Sequence, residues 1–361
     1  MADAPFTERH EPAARAPASS TPSGTPILIV PYMWIGDYVR CHSVVQLINA
    51  RAPERPVDML ATPLTLPLID YMPGVRKGVL SDLPRSRLAF AKQWELAKRL
   101  RAERYGTAIV MPRTWKSAVA PFLARIPERT GFVGEGRLIL LNDARWGERK
   151  LERMIDRKVA LALPRGATPP PYPLPNLVVP AGEVAAWRAR RGLTESPAVA
   201  IGPATVGPGR RWPLERYAEL ARRLIAKGVA VWVLGGPSER MLADELLTTV
   251  GLGLRDLTGV DLRDAILALA AANAAVANDS GLLHVAAAMG TPSIGIFGPT
   301  RPHLTGPLNP VLAVEPTTAI CPTCGAHDCP ILEHRRTDDI PVEPVLDAVR
   351  RALAMTRRPA G

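Results

Sequence analysis

Between residues 164 and 180 the chain reads PRGATPPPYPLPNLVVP, with seven prolines in seventeen positions. Proline fixes φ, removes a backbone donor and restricts the residue before it, so neither helix nor strand survives that density. The segment 166–180 therefore reads as a linker, and it divides the 361 residues into two parts of domain size. Short apolar runs alternate with amphipathic runs on both sides of it. Before the linker, strands are predicted over 27–30, 57–61, 78–80 and 107–111, and helices over 36–51, 66–71, 88–104 and 116–124. After it, strands are predicted over 198–202, 229–234, 274–277 and 293–297, and helices over 214–227, 238–250, 261–272 (with Asp261 as N-cap), 280–289 and 342–355. Such alternation predicts βαβ units and parallel sheets. The expected architecture is α/β: two doubly wound Rossmann-like domains, 25–165 and 181–361, facing each other across a cleft. Residues 1–24, with almost nothing to bury, read as a disordered tail.

Composition narrows the class. The chain is 47% apolar and 22% charged, which is ordinary for a globular protein. The longest apolar run, 266–277, is interrupted by Asn273 and is too short to span a bilayer. The first residues carry Asp3, Glu8 and Glu11 without an apolar stretch, so no secretory signal is predicted. Four cysteines do not make a disulfide framework. These observations predict a soluble cytoplasmic protein.

The net charge of +11 is unevenly placed. Nine basic and three acidic residues lie in 76–104, and eleven basic and six acidic in 113–158, so these two stretches hold the whole excess. An anionic partner met by the N-terminal half is implied: nucleic acid, an acidic lipid surface or a phosphorylated glycan. Aromatic residues are 5% of the chain, with no stacking platform interleaved among the basic residues, which argues against nucleic acid.

Four strand ends carry candidate chemistry. In AAVANDSGLLHVAAAMG (274–290) a buried strand runs into Asp279, Ser280 and Gly281, and a helix follows. Asp279 or Ser280 is a cap candidate, Gly281 lets a ligand approach, and the free N–H groups suit a diphosphate. His284 falls on the same helix face as Ser280. In GPATVGPGRRWP (202–213) a Gly/Pro-rich loop offers the Thr205 hydroxyl and the cations Arg210 and Arg211. Gly235 and Gly236 form a further, less specific turn. In the first half, Gly36-Asp37 stands at the first strand-to-helix turn, where Asp37 is either an N-cap or a general base facing the cleft. Cys321, Cys324 and Cys329, with His327 and His334 nearby, have metal-like spacing but lack a regular second ligand pair. Zinc, a disulfide and free thiols stay open for them. Walker A, GxSxG, HExxH and an early GxGxxG are absent.

Taken together, IxxxxWIGDxV at the first strand, GPxxxGPxRRWP in the second half and NDSGLLHVAAAMGTPSIGIFGPT near the end resemble glycosyltransferase family 9, the ADP-heptose:lipopolysaccharide heptosyltransferases of GT-B fold. The likeness covers about 26–355. The segment PRTWKSAVAPFLARIPERTGFVGEGRLILLND (112–143) is especially similar to members that add the second inner-core heptose. The resemblance implies inverting transfer from ADP-heptose to the first heptose of heptosyl-Kdo2-lipid A, with no metal or other cofactor. It implies Asp37 as base, and Asp279, Ser280, Gly281 and His284 against the donor. Arg210 stands where the family usually has Lys, and Arg336 where it often has a further cysteine, which counts against zinc. Arg113, Lys116, Arg129 and Arg137 lie in the segment of closest likeness and are nominated as acceptor contacts. An anionic, lipid-anchored acceptor also implies peripheral contact with the cytoplasmic leaflet of the inner membrane. The competing readings are a heptosyltransferase for another inner-core position, a nucleotide-sugar epimerase, and a non-catalytic nucleotide-sugar-binding protein.

Overall fold

The computed structural model describes residues 24–84, 89–194, 197–207, 209–316, 331, 334 and 336–356. The predicted tail, apart from Gly24, lies outside these residues. The first half runs β1 (Ile27–Val30), α1 (Ile35–Arg51), β2 (Val57–Ala61), a 3-10 turn (Leu66–Tyr71), β3 (Val75–Leu80), α2 (Phe90–Ala102), β4 (Thr107–Val110), α3 (Lys116–Leu123), β5 (Glu128–Phe132), β6 (Asp143–Arg145) and α4 (Met154–Leu161). Its strands pair in parallel in the order β3-β2-β1-β4-β5-β6.

The second half runs α5 (Ala181–Arg191), β7 (Ala198–Gly202), α6 (Leu214–Ile225), β8 (Ala230–Gly235), α7 (Arg240–Val250), β9 (Leu254–Thr258), α8 (Leu262–Ala271), β10 (Ala274–Asn278), α9 (Gly281–Ala288), β11 (Ser293–Ile296), α10 (Pro302–Thr305), β12 (Leu312–Val314) and α11 (Val342–Thr356). Its parallel order is β12-β11-β10-β7-β8-β9. Counted from each half's own first strand, the two orders are the same doubly wound pattern. In such sheets ligands bind where the winding reverses, outside the carboxyl ends of the central strands. Here those points lie between β1 and β4 and between β7 and β10.

The central strands β1, β4, β7 and β10 are buried at every residue. Helices cover both faces, which is why these strands read as unbroken apolar runs. One core is shared between the halves. It runs from Val45, Met59 and Val159 under α1 and α4 to Ile266 and Val285 of α8 and α9. A separate cluster, including Leu28, Leu60, Leu96 and Ala118, fills the opposite face of the first sheet beneath α2 and α3. The two halves thus join on the α1 side, while α2 and α3 face away from the junction.

The linker is irregular, as its prolines require, but it is not a free tether. Gln46 donates to the Leu174 carbonyl at 2.7 Å, and Asn309 donates to that of Pro175 at 3.0 Å. The Leu177 amide donates to Ala288 and that of Val178 to Tyr71. The linker is therefore bonded to both halves. Arg263 of α8 reinforces the junction, pairing with Asp70 and with Glu183, and it donates to the Tyr71 hydroxyl at 2.8 Å.

Two glycines set how closely α1 and α9 approach. A Cβ on Gly36 would lie 2.6 Å from His284 Cδ2, and one on Gly281 would lie 2.7 Å from Ile35 Cβ. Gly281 thus makes room for a neighbouring helix. Gly281→Val is expected to cost about 1–3 kcal/mol, the usual range for overpacking, read as a lower Tm. Gly182→Ala, inside α5 where an added Cβ meets nothing within 4 Å, serves as the control and should hold or raise the Tm, since alanine favours the helix.

Candidate active site

Asp37 occupies the first turn of α1, just beyond the carboxyl end of β1. It does not cap the helix, because the N-cap position is Trp34. Its Oδ1 accepts from Lys158 Nζ at 2.8 Å and from Arg40 Nη1 at 3.1 Å. Lys158, on α4, also donates to the Asp37 carbonyl at 3.1 Å. Among the described residues nothing bonds to Oδ2, so one oxygen is tethered and the other is not. Burial pushes this carboxyl upward, but the adjacent Lys158 and Arg40 cations outweigh it and hold the pKa below the usual carboxylate value. Asp37 is therefore ionised, an acceptor of protons and hydrogen bonds.

Arg40 links the halves. Its Nη1 holds Asp37, while its Nη2 reaches His284 Nε2 at 3.3 Å and the Gly306 carbonyl at 3.3 Å. A guanidinium can only donate, so His284 Nε2 must accept, and the ring proton sits on Nδ1. His284 is buried. Burial, with Arg40, Lys158 and Arg210 near it, keeps its pKa well below the usual value, so it is neutral. The nearby Asp279 carboxylate, 4.0 Å away, therefore forms no ion pair with it. The sequence nominated His284 as a donor contact. Its ring instead lies against Gly36 and receives Arg40.

The donor-side candidates cluster at the switch point of the second sheet. Asp279 is buried. Its Oδ2 accepts from Arg210 Nη2 at 2.6 Å and from Thr305 Oγ1 at 3.2 Å. Its carbonyl accepts from Arg210 Nη2 at 3.0 Å and from Thr205 Oγ1 at 3.1 Å. Asn278 ties the same corner to the 202–213 loop, accepting from the Trp212 amide at 2.9 Å and donating to the Pro203 carbonyl at 2.8 Å. Ser280 stands at the N-cap position of α9, but its hydroxyl makes no capping bond. Neither it nor Asp279 caps α9 through its side chain.

Three buried polar atoms here have no partner: Ser280 Oγ, Arg210 Nε and Thr300 Oγ1. Unsatisfied buried groups are rare in native proteins and call for an explanation. Together with the free N–H groups of the first turn of α9, these donors suit a bound anion. Arg211 is exposed beside them. Gly235 and Gly236 form a tight turn closed by the Glu239 side chain.

The four nominated acceptor residues separate into two pairs. Arg113 is exposed at the end of β4 and pairs with Glu148 at 3.1 Å. Lys116 opens α3, half-buried. Arg137, in contrast, is buried. Its guanidinium is committed to the carbonyls of Phe132, Val110 and Pro112 and to Ser117 Oγ, and burial lowers its pKa to about 10. Arg129 donates to the carbonyls of Leu140 and Ile126 and stacks on Phe122. These two arginines hold the loops after β4 and β5 in shape. Sequence reasoning missed Arg40 and Lys158. Arg40 was within reach as the i+3 partner of Asp37, but Lys158, 121 positions away, carried no local signal. Cys321, Cys324, His327 and Cys329 lie outside the described residues. Arg336 is exposed and pairs with Asp338.

Two doubly wound domains, with an ionised carboxylate of one tied by a single arginine to His284 and Gly306 of the other, have the architecture of a two-domain glycosyltransferase. The comparisons agree. The model of the family described as Glycosyltransferase family 9 (heptosyltransferase) matches residues 93–324. The chain is 36% identical over 297 residues to the lipopolysaccharide heptosyltransferase 2 of Salmonella typhimurium, covering 78% of this chain and 85% of that protein. It is 36% identical over 298 residues to the lipooligosaccharide heptosyltransferase 2 of Haemophilus influenzae, covering 78% and 86%. The solved structure of E. coli ADP-heptose LPS heptosyltransferase II superposes with a TM-score of 0.81 at 31% identity, covering 92% of this chain and 100% of that one. The chain belongs to glycosyltransferase family 9, the heptosyltransferases, and the expected GT-B architecture is the one observed.

If Lys158 keeps Asp37 ionised, removing its charge leaves burial less opposed and raises the pKa of the base. In Lys158→Gln the acid limb of the kcat/KM profile should then move to higher pH. An unmoved limb, in a variant that folds, would detach Lys158 from this role.

Proposed function

We propose that the protein is an inverting heptosyltransferase that moves L-glycero-D-manno-heptose from ADP-heptose to the first heptose of the lipopolysaccharide inner core, on heptosyl-Kdo2-lipid A. The single observation that carries the reading is the Arg40 guanidinium. It joins the Asp37 carboxylate of one half to His284 and the Gly306 carbonyl of the other, beside the unpartnered donors of the α9 corner.

In this reading the acceptor hydroxyl sits at Asp37 Oδ2. Its oxygen attacks the anomeric carbon of the donor from the face opposite the diphosphate. The new C–O bond forms, the bond to the ADP oxygen breaks, and the hydroxyl proton passes to the carboxylate. Charge developing on the departing ADP is met by Arg210, Arg211, the hydroxyl of Ser280 and the N–H groups beginning at Gly281, while the Thr205 hydroxyl, which donates to the Asp279 carbonyl, holds the corner in place. Asp279 orients Arg210, and His284 holds Arg40. Gly235 and Gly236 shape the far wall of the donor site. On the acceptor side, Arg113 and Lys116 contact the anionic glycan, while Arg129 and Arg137 act as framework. Cations and a helix end thus do the work that a divalent metal does in other transferases, so no metal is required and no other cofactor takes part. Among the described residues no helix is long and apolar enough to cross a membrane. The basic first half supports a cytoplasmic enzyme working at the inner leaflet.

Incubation with ADP-heptose and heptosyl-Kdo2-lipid A should yield ADP and a product heavier by one heptose. ADP release without a heavier product, or transfer only to Kdo2-lipid A, would overturn the assignment. Asp37→Ala should lower kcat by roughly 10²–10⁴, the scale of a lost general base, while ADP-heptose still binds. EDTA should leave turnover unchanged; loss of turnover, with recovery on adding magnesium or manganese, would refute the metal-free account.

A further inference from the structure

The switch point of the first sheet lies between β1 and β4, and Asp37 is not the only polar group beside it. Val30 and Val110 pair in register, and the Met111 amide donates to the Val30 carbonyl at 3.0 Å. The chain then leaves both strands side by side, β1 into Tyr32 and β4 into Arg113. A crevice of this kind is where a doubly wound sheet takes its ligand.

Tyr32 is fixed there by its ring. The ring packs on the shared core, and Lys158 Nζ stands over it, 5.5 Å from its centroid. An aromatic face attracts an ammonium. The same Nζ donates to Asp37 Oδ1 at 2.8 Å. One nitrogen thus touches both the tyrosine and the carboxylate, which makes the two side chains neighbours.

The hydroxyl of Tyr32 is in a different position. Among the described residues nothing hydrogen-bonds to it, and it is not sealed in the interior as the partnerless Tyr38 hydroxyl is. A ligand can therefore reach it. Burial disfavours its ionisation, as do the nearby Glu148 and Asp37 carboxylates, and together they outweigh Arg113 and Arg137, so its pKa is pushed up to about 12. The phenol keeps its proton near neutral pH and can donate. The groups around it are already engaged: Arg113 with Glu148, Arg137 with backbone carbonyls, and Asp37 Oδ1 with Lys158 and Arg40.

A sugar presents several similar hydroxyls, and a carboxylate alone does not choose among them. A second fixed point, of opposite hydrogen-bonding character, does. We propose that Tyr32 orients the acceptor: its hydroxyl donates to an acceptor-sugar oxygen close to the hydroxyl that Asp37 engages, and so sets which hydroxyl meets the base. The inference rests on the reading of Asp37 as that base. What it adds is a rigid donor, held by its ring against the lysine that holds the carboxylate, so that the acceptor is gripped in the geometry of attack.

The test is Tyr32→Phe in the full chain, which removes one oxygen and keeps the ring over Lys158. The KM for heptosyl-Kdo2-lipid A should rise about threefold to tenfold, the scale of one lost hydrogen bond. The KM for ADP-heptose, the acid limb of the kcat/KM profile and the Tm should stay as in the wild type. Calorimetric binding of the delipidated heptosyl-Kdo2 oligosaccharide, which involves no turnover, should weaken by the same factor. Tyr38→Phe, which removes the sealed hydroxyl, is the control and should change neither quantity. Three outcomes would overturn the proposal: acceptor binding and KM unchanged in Tyr32→Phe; the two KM values rising together; or an acid limb that moves with the acceptor KM, which would mean that the hydroxyl acts through Lys158 and not on the sugar. If the wild type transfers no heptose while oligosaccharide binding is still weakened in Tyr32→Phe, the functional reading fails instead, so the two failures are distinguishable.

Discussion

Everything at the junction depends on how closely α1 and α9 approach, and that closeness depends on two residues having no side chain. Gly36 accepts the His284 ring, and Gly281 accepts Ile35. With the helices this near, a side chain on the second turn of α1 can span both domains. Arg40 does so, with one nitrogen on the base and the other on His284 and Gly306. A longer separation would leave Asp37 and the α9 corner as unrelated features of two domains. Contact through the shared core makes them one site.

The electrostatics of the junction follow from the same closeness. Three cations, Arg40, Lys158 and Arg210, stand close enough to act on His284, and burial removes the water that would stabilise a fourth charge. The histidine is therefore neutral and acts as an acceptor, fixing the guanidinium that fixes Asp37. Asp37 meets the opposite balance. Burial disfavours its charge, yet two of the same cations touch it, so it stays ionised. A weakly basic carboxylate gains little from proton affinity. In the proposed reaction its value lies in being always available, with Oδ1 tied down by Lys158 and Arg40.

The parts of the fold that were legible are the buried ones. β1, β7 and β10 read as apolar runs because both sheet faces are covered, and Asp261 read as a cap because its side chain does accept the Asp264 amide at 2.9 Å. β5 (ERTGF), β6 (DAR) and β9 (LRDLT) carry charged residues toward the sheet margins and show neither alternation nor an apolar run. They escape a pattern-based reading, as does the arginine-rich α5. The site was legible where chemistry and strand ends coincide, at Asp37 and at Asp279–Gly281. It was not legible where a role depends on a partner far away in the chain. Lys158 looks like one of many basic residues in a basic stretch, and only the fold brings it beneath Asp37. The closeness of Gly281 to Ile35 and of His284 to Gly36 and Arg40 was not legible either, because no local pattern announces a helix from another domain.

Arg137 shows the same limit from the other side. A charge count assigns it to an anionic partner, whereas its guanidinium is buried among carbonyls that would otherwise lack donors where the sheet ends. The formal +11 is thus an overstatement of what the surface presents, since some cations brace the carboxyl edge and others, such as Lys158 and Arg40, serve the base. What remains outward is divided between the two edges of the first sheet: Arg76 near the start of β3, with Arg101, Arg104 and Arg125 before β4 and β5, stands at the amino edge, and Arg113, Arg149 and Arg153 stand after strands, at the carboxyl edge. A count along the sequence therefore does not place the charge on one face.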